Sequence, residues 1–317
     1  MSYSRRKFIK NMTVITGAIS VTNAYGTVSS NPGETNFPIA FFTKPLDNYE
    51  IDFMSETLAE SGIDGFDLTV RSKGRVEPER IREDLPEVIE VGKKYGLKTR
   101  MMVTAIKSIH EPYTKNMLET AANLGISHYR LGYYDYNFQD GIESSLSSIR
   151  NEIEHLIQLN KELGIQGEYQ NHSGKKFGAP VWDIWNVIKD LPSNAISCQY
   201  DIRHAVTEGS LSWILALHLL KNNMGSLAIK DFTWDVSTGK AKVKSVPLGE
   251  GIVDFDLFFK TIKELNIVAP ITLHAEYPLL LKEEENLPLL QKQKLISAKI
   301  KKDVDLIRMY LKKYQLA

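Results

Sequence analysis

A chain of 317 residues is too long for one small domain and has room for a barrel of about 250 residues with extensions. Its 39 Lys and Arg residues balance its 39 Asp and Glu residues, so it lacks the basic field that binding to nucleic acid or to an anionic membrane surface requires. The one cysteine, Cys198, excludes an intrachain disulfide and a cysteine-rich zinc site, and we expect it to be a small buried side chain.

The N-terminal segment, residues 1–35, differs from the rest of the chain. Its run Ser4-Arg5-Arg6-Lys7-Phe8-Ile9-Lys10 resembles the twin-arginine export motif. An apolar stretch from Met12 to Val21 and the small residues Thr22-Asn23-Ala24 follow, and this stretch is shorter than the roughly 20 residues that cross a bilayer. We therefore predict a twin-arginine signal segment with a linker, export to the periplasm and no stable membrane span. A basic start of an ordinary helix is the alternative.

Short strands alternate with amphipathic helices from Phe37 onward. The predicted strands are Pro38–Thr43, Gly65–Val70, Lys98–Ala105, His128–Gly132, Gln166–Asn171, Ala195–Asp201, Ser226–Lys230 and Ile271–Glu276. The predicted helices are Tyr49–Ser61, Leu85–Tyr95, Tyr113–Leu124, Ile142–Leu163, Trp182–Lys189, Ser212–Leu220 and Phe255–Leu265. Glycine stands just after several helices, as at Gly96 and Gly164, where a left-handed residue ends a helix.

This alternation predicts a fold of class α/β, a closed (β/α)8 TIM barrel that forms a single domain over residues 36–317. A doubly wound open sheet is the alternative. It lacks support, because no glycine-rich phosphate loop follows the first strand.

Polar residues stand in the predicted strands and just after them, and most are at the carboxyl ends, where a barrel of this kind holds its chemistry. In chain order they are Asp67, His128, Arg130, Glu168, Gln170, Asn171, His172, Gln199, Asp201, Arg203, His204, Lys230, Asp231, His274 and Glu276. Side chains alternate along a strand, so Gln170 and His172 share one face, as do His274 and Glu276. The residues that we expect to converge on one pocket are Gln170, His172, Asp201, Lys230 and Glu276.

Three of these segments carry a family resemblance. Gln170-Asn171-His172 looks like the Glu-Asn-His or His-Asn-His signature at the fifth strand of sugar isomerases and epimerases, the xylose-isomerase-like superfamily. Asp201-Ile202-Arg203-His204 is similar to the Asp-x-x-His that follows the sixth strand of that family. Lys230-Asp231-Phe232 resembles the Lys-Asp step after the seventh strand.

Two more segments extend the resemblance to Pro38–Leu280. Val246-Pro247-Leu248-Gly249-Glu250-Gly251, with Asp254-Phe255 after it, looks like the Pro-x-Gly-x-Gly loop and the eighth-helix region of the family. Glu276 falls where the family places its last metal-binding carboxylate. The resemblance thus implies the same barrel that the strand pattern predicts.

The resemblance also implies a divalent metal ion, Mg²⁺, Mn²⁺ or Zn²⁺, on Gln170, Asp201 and Glu276. In the metal-dependent members, however, the fifth-strand ligand is usually Glu, and a His stands two residues before the Lys. This chain has Gln170 and Ala228 at those positions. Oxygen ligands remain for a hard cation, but the two replacements predict weaker and less selective metal binding.

Isomerases and epimerases of the family remove a proton next to a carbonyl, which requires a base and an electrophile. The resemblance implies that Glu276 is the base, that His172 or His204 carries a second proton, and that Lys230 polarises the carbonyl. An ion pair of Lys230 with Asp201 or Glu276 is the alternative. The substrate-binding residues that it implies are Asp67, Arg130, Gln170, Asn171 and His274. The aromatic residues that either stack on a sugar or pack beneath a loop are Tyr133, Tyr134, Tyr136 and Phe138.

Because Gln170 cannot abstract a proton, a symmetrical scheme with two carboxylate bases is not favoured. The expected function is that of a sugar isomerase or epimerase acting on a free or oxidised small-molecule carbohydrate. Elimination from, or hydration of, a 3-keto-glycoside is one alternative, since it needs a single base. A non-catalytic sugar-binding barrel is the other. The sequence predicts no particular oligomeric state.

Overall fold

The structure, a computed structural model, describes residues 36–316. Eight parallel strands follow one another around a closed wall, and the last of them pairs with the first. They are β1 (Ile39–Phe42), β2 (Gly65–Thr69), β3 (Met101–Val103), β4 (His128–Arg130), β5 (Gln166–Gln170), β6 (Ile196–Asp201), β7 (Met224–Ile229) and β10 (Ile271–Leu273). The predicted (β/α)8 barrel is therefore confirmed, and the predicted signal segment lies outside the described residues.

Helices separate the strands and surround the barrel. They are α1 (Ile51–Glu60), α2 (Ile81–Lys94), α3 (Thr114–Asn123), α4 (Ile142–Leu163), α5 (Val181–Ile188), α6 (Ile202–Gly209), α7 (Trp213–Leu220), α8 (Phe255–Glu264) and α9 (Leu289–Lys313). Gly164 ends α4 with a φ of 65°, as its place in the sequence predicts. The C-terminal α9 packs against α1 and α8 and so covers the point where the barrel closes. Across residues 36–316, no helix is long and apolar enough to cross a membrane.

Between β7 and β10 the chain forms an antiparallel hairpin outside the barrel wall. Its strands are β8 (Asp231–Asp235) and β9 (Lys242–Val246). The sequence pattern did not predict this hairpin, α6 or α9. The hairpin begins immediately after the seventh barrel strand, so it stands at the carboxyl end of the barrel.

Apolar packing holds the wall to the helices, whereas the interior of the barrel is polar. Phe66, Tyr169 and Ile229 are fully buried in the apolar core. Two side-chain hydrogen bonds connect strands that are not neighbours in the wall, so they must cross the interior. Thr272 on β10 donates to Asp67 on β2 over 2.8 Å, past β1, and Ser226 on β7 donates to Glu168 on β5, past β6. Branched apolar residues usually fill such an interior, so a polar one indicates a functional layer.

Candidate active site

Lys230 directly follows β7 at the carboxyl end of the barrel. Its Nζ is 2.9 Å from Asp201 Oδ2 and 3.3 Å from Glu276 Oε1. The lysine side chain is 3% exposed and that of Asp201 is fully buried, whereas the Glu276 side chain is 31% exposed. Burial lowers the pKa of Lys230, and the two carboxylates oppose that effect. The structure thus joins an ammonium group to two carboxylates, one of which faces solvent.

Glu276 is surrounded by groups that favour its ionised form. Arg203 Nη2 is 3.4 Å from Oε2, and His274 Nδ1 is 3.6 Å from Oε1. Burial alone would raise the pKa of Glu276, but Lys230, His274 and Arg203 outweigh it and hold the pKa below its ordinary value. The next residue, Tyr277, points away and donates to Asp303 over 2.8 Å. Glu276 is therefore a charged, solvent-facing acceptor at the barrel mouth.

Gln170 is held at both ends of its amide. Its Oε1 accepts from Arg130 Nη1 over 2.7 Å and from the Tyr133 hydroxyl, and its Nε2 donates to Asp201 Oδ2 over 2.7 Å. Arginine can only donate hydrogen bonds, so the oxygen of the amide must face Arg130. The Gln170 oxygen is therefore committed to two protein donors.

The neighbouring Asn171 positions the end of β6. Its Nδ2 donates to the carbonyl oxygen of Asp201 over 2.9 Å, and its Oδ1 accepts from the Asp201 backbone N–H over 2.7 Å. The Asp201 side chain then caps α6, where Oδ1 accepts from the backbone N–H of His204 over 3.0 Å. The nitrogen and the oxygen of the Asn171 side-chain amide both bond to the Asp201 backbone. They thereby help to fix the position of the carboxylate that Lys230 contacts.

His204 is buried, and both of its ring nitrogens contact the protein. Arginine can only donate, so Nε2 accepts from Arg203 Nη2 over 2.9 Å, and Nδ1 carries the ring hydrogen and donates to the Ser173 hydroxyl over 2.8 Å. Burial, with Lys230 and Arg203 nearby, lowers the pKa of His204 well below its ordinary value. The ring therefore stays uncharged, and its Nε2 orients Arg203.

His172 is half-buried and stacks on His204 with 4.0 Å between the ring centroids. Its Nδ1 is 2.9 Å from the carbonyl oxygen of Ser173. Nowhere in the described part of the chain is there a hydrogen-bond partner for its Nε2. Burial and Lys230 lower the pKa of His172. Of the two predicted histidines, His172 is the one with a ring nitrogen open to a ligand.

A second layer of titratable groups lies below the mouth. His274 stacks on Phe42 at 4.4 Å and stands between Glu276 and Asp67, with its Nε2 3.9 Å from Asp67 Oδ2. Burial and Lys230 lower the pKa of His274 to about 4, whereas burial raises the pKa of Asp67 to about 6. Burial also raises the pKa of Glu168 to about 8. These groups are more deeply buried than Glu276, and His274 links Asp67 to Glu276 at the mouth.

The aromatic residues after β4 divide between the site and the packing below it. Tyr133 lies at the site, because its hydroxyl contacts Gln170, its ring is 4.9 Å from His172, and the Arg130 guanidinium lies 5.2 Å from its ring. Tyr134 instead donates to the carbonyl oxygen of Lys107. The other two are elsewhere: the Tyr136 hydroxyl contacts Asp183, and Phe138 is 72% exposed.

Asp231 organises the loop beside the mouth. Its Oδ1 accepts from the backbone N–H groups of Phe232 and Val253, and its Oδ2 accepts from those of Gly249 and Gly251, at 2.8–3.2 Å. A side chain on Gly251 would begin 2.2 Å from Asp231 Oδ1, so only glycine allows this approach. The Lys-Asp step and the Pro-x-Gly-x-Gly loop of the sequence are thus one hydrogen-bonded unit.

The three residues that the resemblance implied as metal ligands do not fit a divalent cation in this arrangement. Gln170 presents its oxygen to Arg130, and the ammonium of Lys230 already stands between Asp201 and Glu276. Within residues 36–316, no group of three or more His, Cys, Asp or Glu side chains is placed to hold a metal ion. The predicted site residues are brought together, but around a lysine.

Arg203 and Ser173 contact the site, although the sequence patterns gave neither of them a role. Arg203 reaches Glu276 and His204, and Ser173 reaches His204. The sequence signal for Arg203 was its position inside the Asp-x-x-His segment. Ser173 had only the signal of following His172.

A separate cleft of about 510 Å³ opens between the loop after β1 and the loop after β10. Tyr49 and Asn48 line one side, Pro278 and Leu279 line the other, and Glu285 adds a carboxylate. Both loops leave the carboxyl ends of barrel strands, and the lining residue Tyr277 follows Glu276 directly.

Comparison with known proteins gives one family and a set of similar folds. Residues 55–293 match the family model described as xylose isomerase-like TIM barrel. A search of curated proteins finds no match. The solved structure of a D-tagatose 3-epimerase-like protein is 15% identical, with 88% of this chain and 98% of that chain covered and a TM-score of 0.64.

Two further solved structures have the same architecture. A 3-keto-D-glucoside 4-epimerase from E. coli is 14% identical, with 83% of this chain and 98% of that chain covered and a TM-score of 0.60. A xylose isomerase-like TIM barrel protein from Mycobacterium smegmatis in complex with magnesium is also 14% identical, with 86% and 99% covered and a TM-score of 0.60. At these identities the similarity shows the fold alone.

Proposed function

The chain belongs to the xylose isomerase-like TIM barrel family, and from that premise we propose that it is an enzyme that takes a proton from a carbohydrate carbon next to a carbonyl. One observation carries this proposal. Glu276 is a solvent-facing carboxylate with Lys230 at 3.3 Å and Arg203 at 3.4 Å. A base beside fixed cations is what the formation of an enolate requires. The sugar epimerases among the similar structures support the same chemistry.

The long contacts of Glu276 suit an exchange of partners. Charge-assisted hydrogen bonds usually measure about 2.7–2.9 Å, so those from Lys230 and Arg203 to Glu276, at 3.3 and 3.4 Å, are weak. A substrate carbonyl oxygen that enters can take hydrogens from Lys230 and Arg203. Glu276 then loses the interactions that lower its pKa and becomes a stronger base as negative charge develops on the oxygen.

The site provides one carboxylate base. The Gln170 amide cannot accept a proton, and both ring nitrogens of His204 are engaged, one by Arg203 and the other by Ser173. His172, with its open Nε2, is the remaining group for a second proton transfer. We therefore favour chemistry in which Glu276 removes a proton and returns it, as in isomerisation, over inversion between two carboxylates.

Elimination from a 3-keto-glycoside is the second candidate function. The observation that favours it is the same single solvent-facing carboxylate, because elimination needs only one base at the carbon next to the carbonyl. The cleft beside Tyr49 and Pro278 would give the leaving part of such a substrate a place next to the mouth. Its lining combines mostly aliphatic side chains with two tyrosines, Asn48 and Glu285, which is typical of sites that bind small molecules.

Incubation with keto sugars and 3-keto-glycosides in D₂O tests the proposal and separates the two candidates. Isomerisation or epimerisation is expected to place deuterium on the carbon next to the carbonyl. Elimination is expected to release the leaving group and form an unsaturated ketone. Both are followed by NMR and mass spectrometry. A protein that binds these sugars in calorimetry but exchanges no proton would be a sugar-binding barrel, and the proposal would be wrong.

A further inference from the structure

We infer that Lys230 takes the place of a divalent cation at this site, so that the proposed reaction proceeds without a metal ion. The catalytic half of this inference rests on the proposed function. The metal-binding half is independent of the proposed function and rests on the side chains around Lys230, Asp201 and Glu276.

The ammonium of Lys230 occupies the position between the two carboxylates. It lies 2.9 Å from Asp201 Oδ2 and 3.3 Å from Glu276 Oε1, and its side chain is only 3% exposed. Ala228 is the register partner of Asp201 on the neighbouring strand and is fully buried. A methyl group stands there instead of an imidazole, so this position offers a cation no ligand.

Gln170, Asp201 and His204 could offer oxygen or nitrogen atoms to a metal, but these atoms already form hydrogen bonds within the protein. Gln170 Oε1 takes hydrogen bonds from Arg130 and Tyr133. Asp201 Oδ1 takes the backbone N–H of His204. The His204 ring nitrogens face Ser173 and Arg203. A metal would have to displace Lys230 and break these contacts, whose partners are all buried or half-buried.

The charges of the site disfavour a further cation. Lys230 and Arg203 already place two positive charges against the two negative charges of Asp201 and Glu276. A divalent ion at these carboxylates would have to stand beside both of these cations. Like charges a few ångströms apart repel strongly in a poorly solvated site.

Lys230 can perform the step that a metal would otherwise assist. The C–H bond next to the carbonyl breaks, and its proton moves to a Glu276 oxygen. The electron pair forms the carbon–carbon double bond, and the carbonyl electrons move to the oxygen. Lys230 donates a hydrogen bond to that oxygen, and Glu276 then returns the proton, so no co-reactant is consumed.

Metal binding by the full-length protein tests the inference without any substrate. After dialysis against EDTA, titration calorimetry with Mn²⁺ is expected to show no stoichiometric binding by the wild-type protein. Lys230→Ala is expected to gain a Mn²⁺ site, because it frees Asp201 and Glu276. Lys302→Ala, at an exposed lysine paired with Glu250, is the matched control and is expected to gain none. Stoichiometric Mn²⁺ binding by the wild-type protein would overturn the inference, as would a folded Lys230→Ala protein that binds none. If Lys230→Ala does not fold, the wild-type titration still shows whether the site binds Mn²⁺.

Exchange in D₂O tests the catalytic half. EDTA is expected to leave the wild-type rate unchanged, and Lys230→Met is expected to lower it about 10²–10³-fold, as the loss of an oxyanion donor does. Loss of exchange in EDTA with recovery in Mn²⁺ would overturn the inference. If no substrate exchanges at all, the proposed function fails, while the Mn²⁺ titration still decides whether Lys230 replaces the metal.

Discussion

Replacing Glu168 with Gln should make the protein more stable at alkaline pH. Glu168 is fully buried in the barrel interior. Burial raises the pKa of its carboxyl from 4.5 to about 8, although the hydrogen bond from Ser226 acts to lower it. The folded protein therefore holds this proton more tightly than the unfolded chain. The wild-type protein therefore loses unfolding free energy as the pH rises from about 4.5 through about 8. At about 1.4 kcal/mol per pH unit, this loss is at most about 5 kcal/mol.

Glu168→Gln cannot ionise and keeps an oxygen that can accept from Ser226. All other titratable groups are shared with the wild-type protein, so the difference in unfolding free energy isolates Glu168. Urea unfolding should give similar values for the two proteins near about pH 5, and a variant more stable by about 3–5 kcal/mol near about pH 9. Glu264→Gln, on the exposed surface, is the control and should show no such change. A difference that does not depend on pH, or a variant less stable at pH 9, would refute the reasoning.

Three further predictions concern other parts of the chain. Asp231→Asn should lower the unfolding free energy by about 2–4 kcal/mol in urea, because an amide cannot accept from backbone N–H groups on both sides as the carboxylate does. Asn171→Ala should lower it by about 1–3 kcal/mol, because it removes the side-chain acceptor of the buried Asp201 backbone N–H and one donor to the Asp201 carbonyl oxygen; an unchanged urea midpoint would contradict either prediction. The export signal remains a prediction: replacing Arg5 and Arg6 with Lys should keep the protein in the cytoplasm of its host, and unchanged recovery from the periplasm in cell fractionation would count against it.

The barrel could be predicted because its strands and helices each carry a local signal. The joints such as Gly164 mark where helices end, and apolar strands follow them. The hairpin β8–β9 and the helix α6 could not be predicted in this way. The second strand of the hairpin, β9, is polar and only partly buried, with lysines at Lys242 and Lys244. The start of α6 depends on the Asp201 side chain as its cap, directly at the end of a strand.

The site residues could be predicted as a group, because the carboxyl ends of parallel strands meet at one end of a barrel. Their individual partners could not. Asn171 and Asp231 look like ligand-binding residues in the sequence, yet they bind backbone atoms of Asp201 and of the Gly249–Val253 segment. Such contacts depend on strand register and loop path, which no local pattern records. The sequence allowed two interpretations of Lys230, an ion pair and a group that polarises a carbonyl. Only the folded structure shows that its ammonium contacts both carboxylates.

Deuterium incorporation by Glu276→Gln tests the central claim most directly. The substitution keeps the size of the side chain and removes the proton acceptor next to Lys230 and Arg203. With a substrate that the wild-type protein exchanges in D₂O, the variant should incorporate deuterium about 10²–10⁴-fold more slowly, while Glu264→Gln should match the wild type. Circular dichroism should show that Glu276→Gln is folded at the assay temperature. A folded Glu276→Gln protein that exchanges at close to the wild-type rate would show that Glu276 is not the base, and His172 would then be the leading candidate.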